Sequence, residues 1–416
     1  MLPSAGSSPD DDDCGFAIDA DDSASARDAG DALIAALDDV LDLDLEDKGC
    51  DEWRVDLAGM FELEDALLWN RTEDLVLAGP EDGAPARLLA VPFGAPPADV
   101  THRILTATPG SGGSVGDVTI ERLILEGGAV EAVTGDDLGG AVLADVVHLV
   151  DSELVGNSAV GGGAVAADAV HAERVSFVEN ATPTGAGGAI AATGALTLTN
   201  VTFARNIAAA GGAVRLGPDV SLEATFVTFL DNASVGTGAG DDLHVVAASA
   251  GSISLRGVLF GGTGSGPACG GDGFPDDAVD LDVEGSFAVD DASCTGVTEI
   301  AGPLTFTTVP FLTGMAELPV PDGGPAEIGQ VACGAGWPAV DQRGVTRPQG
   351  DTCDAGAVER EVVVVPPPPA PEAAPPPTPE VQQETAVEDV VDGPVPTSVP
   401  AGDGTCADGC PAFGAR

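Results

Sequence analysis

Residues 177–214 read FVENATPTGAGGAIAATGALTLTNVTFARNIAAAGGAV, and two short elements each occur twice within them. Phe177-x-x-Asn180 returns as Phe203-x-x-Asn206, and Gly187-Gly188-Ala189-Ile190 returns as Gly211-Gly212-Ala213-Val214. Working outward, Gly-Gly-Ala-Val also stands at 139–142 and 162–165. Leu154/Asn157 is a variant of the other element, Phe229/Asn232 repeats it, and Phe260 marks where the asparagine lapses. The two elements alternate strictly at a period in the twenties, which is the signature of a repeat architecture. From phenylalanine to asparagine is always three residues, whereas the gap from asparagine to the next Gly-Gly varies between five and eight. Fixed strands with elastic turns are what successive parallel rungs require, because neighbouring strands must keep register while loops between faces can swell. The expected fold is all-β: a right-handed parallel β-helix with a short N-terminal capping helix and a disordered proline-rich tail.

The residue types suit that geometry. Phenylalanines at matched positions stack inside at the strand spacing, and Val142, Val165, Ile190 and Val214 do the same on another face. Asn157, Asn180, Asn206 and Asn232 fall at a turn, where an amide carries both donor and acceptor and can link rung to rung. They are expected to form a structural ladder. The paired glycines permit positive φ and close backbone approach, and the repeat lacks the aspartates of calcium-binding nonapeptides.

Three parts are expected along the chain. Residues 1–30, with the acid run Asp10–Asp13, form a flexible acidic leader. Residues 31–360 hold the β-helix, its cap and an irregular, disulfide-stapled C-terminal part. Residues 361–416 are a proline-rich linker of extended polyproline II type and a short cysteine-containing tail. Leu33, Ile34, Leu37, Val40 and Leu41 fall at helical spacing, which places a capping helix over 31–41 at the open end of the solenoid. Alternation over Trp53–Leu57, Met60–Leu63 and Asp74–Leu77 marks the first strands.

The net charge of −53, from 68 acidic and 15 basic residues, excludes nucleic acid as a partner. Eight cysteines in so acidic and glycine-rich a chain point to disulfides and a compartment outside the cytosol. Sequence order suggests Cys14 with Cys50, Cys269 with Cys294, Cys333 with Cys353 and Cys406 with Cys410, among the roughly one hundred pairings that eight cysteines permit. Zinc is not expected, since none of the four histidines stands near the one close cysteine pair, Cys406 and Cys410. No cofactor is expected; calcium is compatible with the acidity, but no motif specifies it. No stretch is apolar enough to span a membrane. Residues 1–30 contain neither the basic nor the apolar part of an export signal, so the sequence is expected to have a misassigned start or to be a fragment or mature form.

The alternating Phe-x-x-Asn and Gly-Gly-Ala-Val/Ile elements, over roughly 139–262, resemble the repeats of polymorphic outer membrane proteins and related bacterial β-helix proteins. Further on, Asp341-Gln342-Arg343-Gly344, Arg347-Pro348 and Cys353-Asp354-x-Gly356-Ala357-x-Glu359 look like the close of the choice-of-anchor β-helix domains of secreted bacterial proteins. The resemblance implies an extracellular, cell-surface or outer-membrane location. In those domains a sorting segment follows; residues 361–416 contain no recognisable anchor, and no translocator barrel.

The expected function is a non-catalytic exported or surface β-helix in adhesion, envelope organisation or polymer binding, its partner an unspecified surface polymer or protein. The alternative is a carbohydrate-active enzyme, a polysaccharide lyase or glycoside hydrolase, because parallel β-helices host both. Its best candidates are Asp241, Asp242, His244 and Arg256. Alternation puts Asp242 with His244 on one face and Asp241 at the turn, so the carboxylates are expected to diverge and not to catalyse. The total lack of tyrosine also argues against a sugar-processing groove.

Overall fold

The computed structural model describes residues 14–41, 49–91, 100–109, 114–130, 137–236, 239–246, 251–262, 266–271, 280–301, 304–311, 317–323 and 326–360. Short strands stack in parallel into a right-handed β-helix of about eight turns. The first face runs from Leu67–Trp69 through residues 142–144, 165–167 and 190–192 to Val214–Leu216, Leu243–Val245 and Cys269–Gly270. The second runs from Gly15–Asp19 to Asp280–Glu284, and the third from Met60–Leu63 to Thr298–Ile300. On the first face register is kept residue for residue: Val142 pairs with Val165, Val165 with Ile190, and Ile190 with Val214.

Two corner devices follow directly from the repeat. Gly187 adopts φ +77°, and a Cβ on Gly188 would lie 1.9 Å from the Gly212 carbonyl oxygen of the next rung. The first glycine thus turns the chain and the second admits the neighbouring backbone. Inside, Phe177, Phe203, Phe229 and Phe260 stack with centroids 4.9, 5.0 and 5.0 Å apart and planes within 8°.

The ladder is continuous and has a polarity. Asn157 Oδ1 accepts from the Gly128 N–H, and from Asn180 on each asparagine Oδ1 accepts from the backbone N–H and Nδ2 of the asparagine before it; for Asn206 the donors are Asn180 N at 2.9 Å and Asn180 Nδ2 at 3.0 Å. Asn206 Nδ2 in turn donates to Phe177 O and to Asn232 Oδ1, both at 2.9 Å. All four asparagines are buried. Asn206→Ala should therefore cost roughly 1–3 kcal/mol by leaving those groups unpaired, measured by denaturant unfolding against the exposed Asn70→Ala. Equal midpoints for the two variants would remove the ladder from the stability of the fold.

Order begins earlier than the acidic composition implies, which corrects the expected leader: residues 14–30 are structured. Gly15–Asp19 pairs with the second-face strand Glu52–Ala58, tied by the Cys14–Cys50 disulfide. The capping helix, α1 (Ala26–Leu41), starts five residues before the expected position 31. It buries Leu33, Leu37 and Val40 in the core, covering the first rung. Cys269–Cys294 and Cys333–Cys353 are also disulfides. Cys406, Cys410, the acid run Asp10–Asp13 and the proline-rich segment lie outside the described residues.

The C-terminal part folds back over the outside of the third face. Thr305–Pro310 and Glu317–Gly323 form an antiparallel pair. Phe311, Leu318 and Val358 pack on the outward Val155 and Val178. Polar contacts then run along the same face: Thr202 Oγ1 donates to Gln342 Oε1, Gln342 Nε2 to Ser176 Oγ, and the Ala357 N–H to Thr228 Oγ1. This strap gives the third face a second, exterior core that also holds Phe226, Ile328, Val331 and Ala355.

Candidate functional site

The Asp341–Glu359 motif is a hydrogen-bonded knot. Asp341 accepts from the backbone N–H groups of Arg343, Val345 and Glu359. Arg347 is almost wholly buried; its Nη1 donates to Glu359 Oε2 at 2.8 Å and to Asp354 O, its Nη2 to Gly356 O. Its guanidinium carbon lies 3.9 Å from the centre of the Phe226 ring. Burial pulls the Arg347 guanidinium down from the arginine range and pushes the Glu359 carboxyl up, each opposed by the charge of the other. Every polar residue in this knot positions the strap, which is a structural task.

The four residues singled out as a catalytic set do not converge. Leu243 points inward and pairs with Val214, as the repeat requires. Asp241 takes the place of the second corner glycine; it accepts from Ser234 N and Oγ at 2.8 Å and from Gly266 N at 2.7 Å. His244 Nδ1 lies 3.0 Å from Ala239 O, and Arg256, half-exposed on the second face, faces Asp282 at 3.5 Å. One expectation is corrected: Asp242 does not share an outward face with His244. It is buried at the corner, where Oδ1 accepts from Asn232 Nδ2 at 2.9 Å and ends the ladder. Nor do the carboxylates diverge, since Asp241 and Asp242 both line one cavity of about 10 Å³ with Asn232 and Asp291. That volume is about the least that holds a single water and admits no sugar. Burial, with the nearby carboxylates of Asp241, Asp291 and Asp231, pushes the Asp242 carboxyl up to about 8, although the Asn232 hydrogen bond opposes the shift.

A more open arrangement lies on the first face. A cleft of about 390 Å³ crosses several rungs, floored by the outward Leu143, Ala166 and Ala191. Leu138 and Val160 wall one side; Asp145 and Asp168 lie at the corner on the other, one rung apart, with Arg215 at the end. Thr193 Oγ1 hydrogen-bonds Asp168. The signal for this row was present in the repeat: the sixth position after the first corner glycine is Asp145, Asp168 and then Thr193. A wider groove of about 1000 Å³ lies at the N-terminal end beside Asp19, Asp56, Glu81 and Glu121. Its cations are engaged locally, Arg54 with Asp56 at 2.9 Å and Arg122 with Glu121 at 3.4 Å. His148 and His171 stack on the second face with centroids 4.8 Å apart.

Among the described residues, no three histidine, cysteine or acidic side chains are grouped to hold a metal ion, and no helix is long and apolar enough to cross a membrane. Comparison with protein-family models, curated proteins and solved structures finds no match to this chain.

Proposed function

We propose that this chain is an exported, non-catalytic β-helix that works outside the cell or at its surface and holds an extended polymer in the first-face cleft. The observation that carries this reading is the unequal treatment of the faces. The third is covered along much of its length by the strap, whereas the first presents a multi-rung cleft with an alanine floor. A floor of small side chains lets a chain-like ligand lie close to the backbone, and a cleft of this volume falls in the range of ligand sites. Three disulfides fit an oxidising compartment. The polymorphic-type repeats and the choice-of-anchor close support placement among secreted and surface β-helix proteins of bacteria.

The test is retention on a panel of insoluble cell-surface polysaccharides, comparing the wild type with Ala191→Phe, which fills the cleft floor. Retention that the variant loses while keeping its unfolding midpoint is the expected result. Equal retention of both proteins places binding elsewhere, and none on any polymer removes the reading.

One arrangement favours the carbohydrate-active alternative, the lip carboxylates Asp145 and Asp168 with Arg215 at the cleft end. Release of soluble sugar by the wild type, abolished in Asp168→Asn, would replace the binding function with an enzymatic one.

A further inference from the structure

The asparagine ladder has to end, and its manner of ending is unusual. Each rung passes two donors, a backbone N–H and an Nδ2 hydrogen, to the Oδ1 of the next asparagine. After Asn232 the series has no further asparagine, because the third residue beyond Phe260 is Thr263. Asp242, at the corner just before the first-face strand Leu243–Val245, takes the Asn232 Nδ2 donor through Oδ1. The Asp242 side chain is buried.

The charged groups around Asp242 make the ending stranger. Asp231 at the corner before Asn232, Asp241 beside it and Asp291 from the loop after Phe287–Val289 all act on it, and all are acids. Asp241 and Asp291 are themselves held by N–H donors, from Ser234, Gly266, Ala268 and Ser293. On its own strand, His244 turns its Nδ1 to the Ala239 carbonyl. The adjoining cavity of about 10 Å³ leaves no room for a hydrated counter-ion. A carboxylate buried among other carboxylates is costly, and such a group takes up a proton instead. A protonated carboxyl is a close match for an amide: one oxygen accepts and the other donates.

We propose that Asp242 is carried in the native protein as a neutral carboxylic acid that closes the asparagine ladder in place of a fifth amide. The last regular rungs are thereby locked by a proton. In the unfolded chain the same side chain is ionised above the ordinary carboxylate range, so folding takes up a proton in the interval between the two states. The stabilisation is complete at acid pH, declines from there up to about pH 8, and is spent above it. A net charge of −53 also favours lower pH by easing repulsion, so only comparison with a variant isolates this group.

Asp242→Asn is that variant, since the amide fits the ladder and cannot ionise. Folding equilibria of both proteins are measured in denaturant across the pH range. The expected result is a ratio of wild-type to variant folding constants that falls about tenfold per pH unit from roughly pH 5 to 8 and is constant beyond. Parallel profiles overturn the proposal. So does a wild type that calcium stabilises and the variant does not share, because a cation would then occupy the carboxylate. Independently of the variant, the Asp242 carboxyl carbon in the wild type should titrate by NMR near pH 8; a midpoint in the ordinary carboxylate range also overturns it.

Discussion

Arg347→Ala is expected to destabilise the chain by roughly 3–5 kcal/mol, because it leaves Glu359 buried without its counter-charge. The guanidinium satisfies Glu359 Oε2 and the carbonyls of Asp354 and Gly356 while covering the Phe226 ring. Removing it strips three acceptors at once, in a place where both charged partners are almost fully out of water. An exposed arginine behaves differently: Arg256→Ala should change stability by less than about 1 kcal/mol, since its pair with Asp282 is solvated. The two variants are compared by denaturant unfolding. A loss at Arg347 no larger than at Arg256 would mean that the strap is not held by its knot. Adding Glu359→Ala to Arg347→Ala should cost less than the sum of the single changes, because the unpaired charge goes with it.

The second large effect belongs to the phenylalanine column. Phe203→Ala should cost about 3–5 kcal/mol through lost burial and the cavity left between Phe177 and Phe229, which stack on either side of it. Parallel rungs hold one another in register, so the strands cannot slide to refill the gap. Phe203→Leu should recover part of the loss. If the alanine variant unfolds at the wild-type midpoint, the column is not a principal part of the core.

The periodic part of this architecture could be read from sequence because every rung repeats the same solution. Phe177, Phe203 and Phe229 occupy one column for one reason, and identical reasons recur at visible intervals. Four features escaped, each for a physical cause. The strand Gly15–Asp19 is flanked by acids on both sides, so its surroundings resembled a leader although Phe16 and Ile18 pack on the core; its order comes from pairing with Glu52–Ala58 and from the Cys14–Cys50 bond. Asp242 was placed by the two-residue alternation of a strand, but it sits on the corner, where alternation lapses and the side chain turns towards Asn232. The cleft residues Asp145 and Asp168 were present in the repeat as a conspicuous column, yet an acid at a corner reads as solvated until the walls beside it are known. The Asp341–Glu359 motif was legible as a motif, while its place on the third face was not, since its partners Thr202 and Ser176 lie 140 and 166 residues away.

Those separations bear on the order in which the molecule comes into being. Rung-to-rung pairing joins residues a few tens apart, so the coil can grow progressively from its N-terminal cap as the polypeptide emerges, each turn templating the next. The strap differs in kind: its docking surface is spread over Ser176, Thr202 and Thr228, and it is complete only when three successive turns are in place. Complete docking of the strap therefore depends on those three turns being in register. A molecule with a slipped or missing turn offers the strap a mismatched landing site and leaves Val155 and Val178 bare to water, an exposed apolar stripe of the kind by which quality-control proteases and chaperones tell unfinished chains from finished ones.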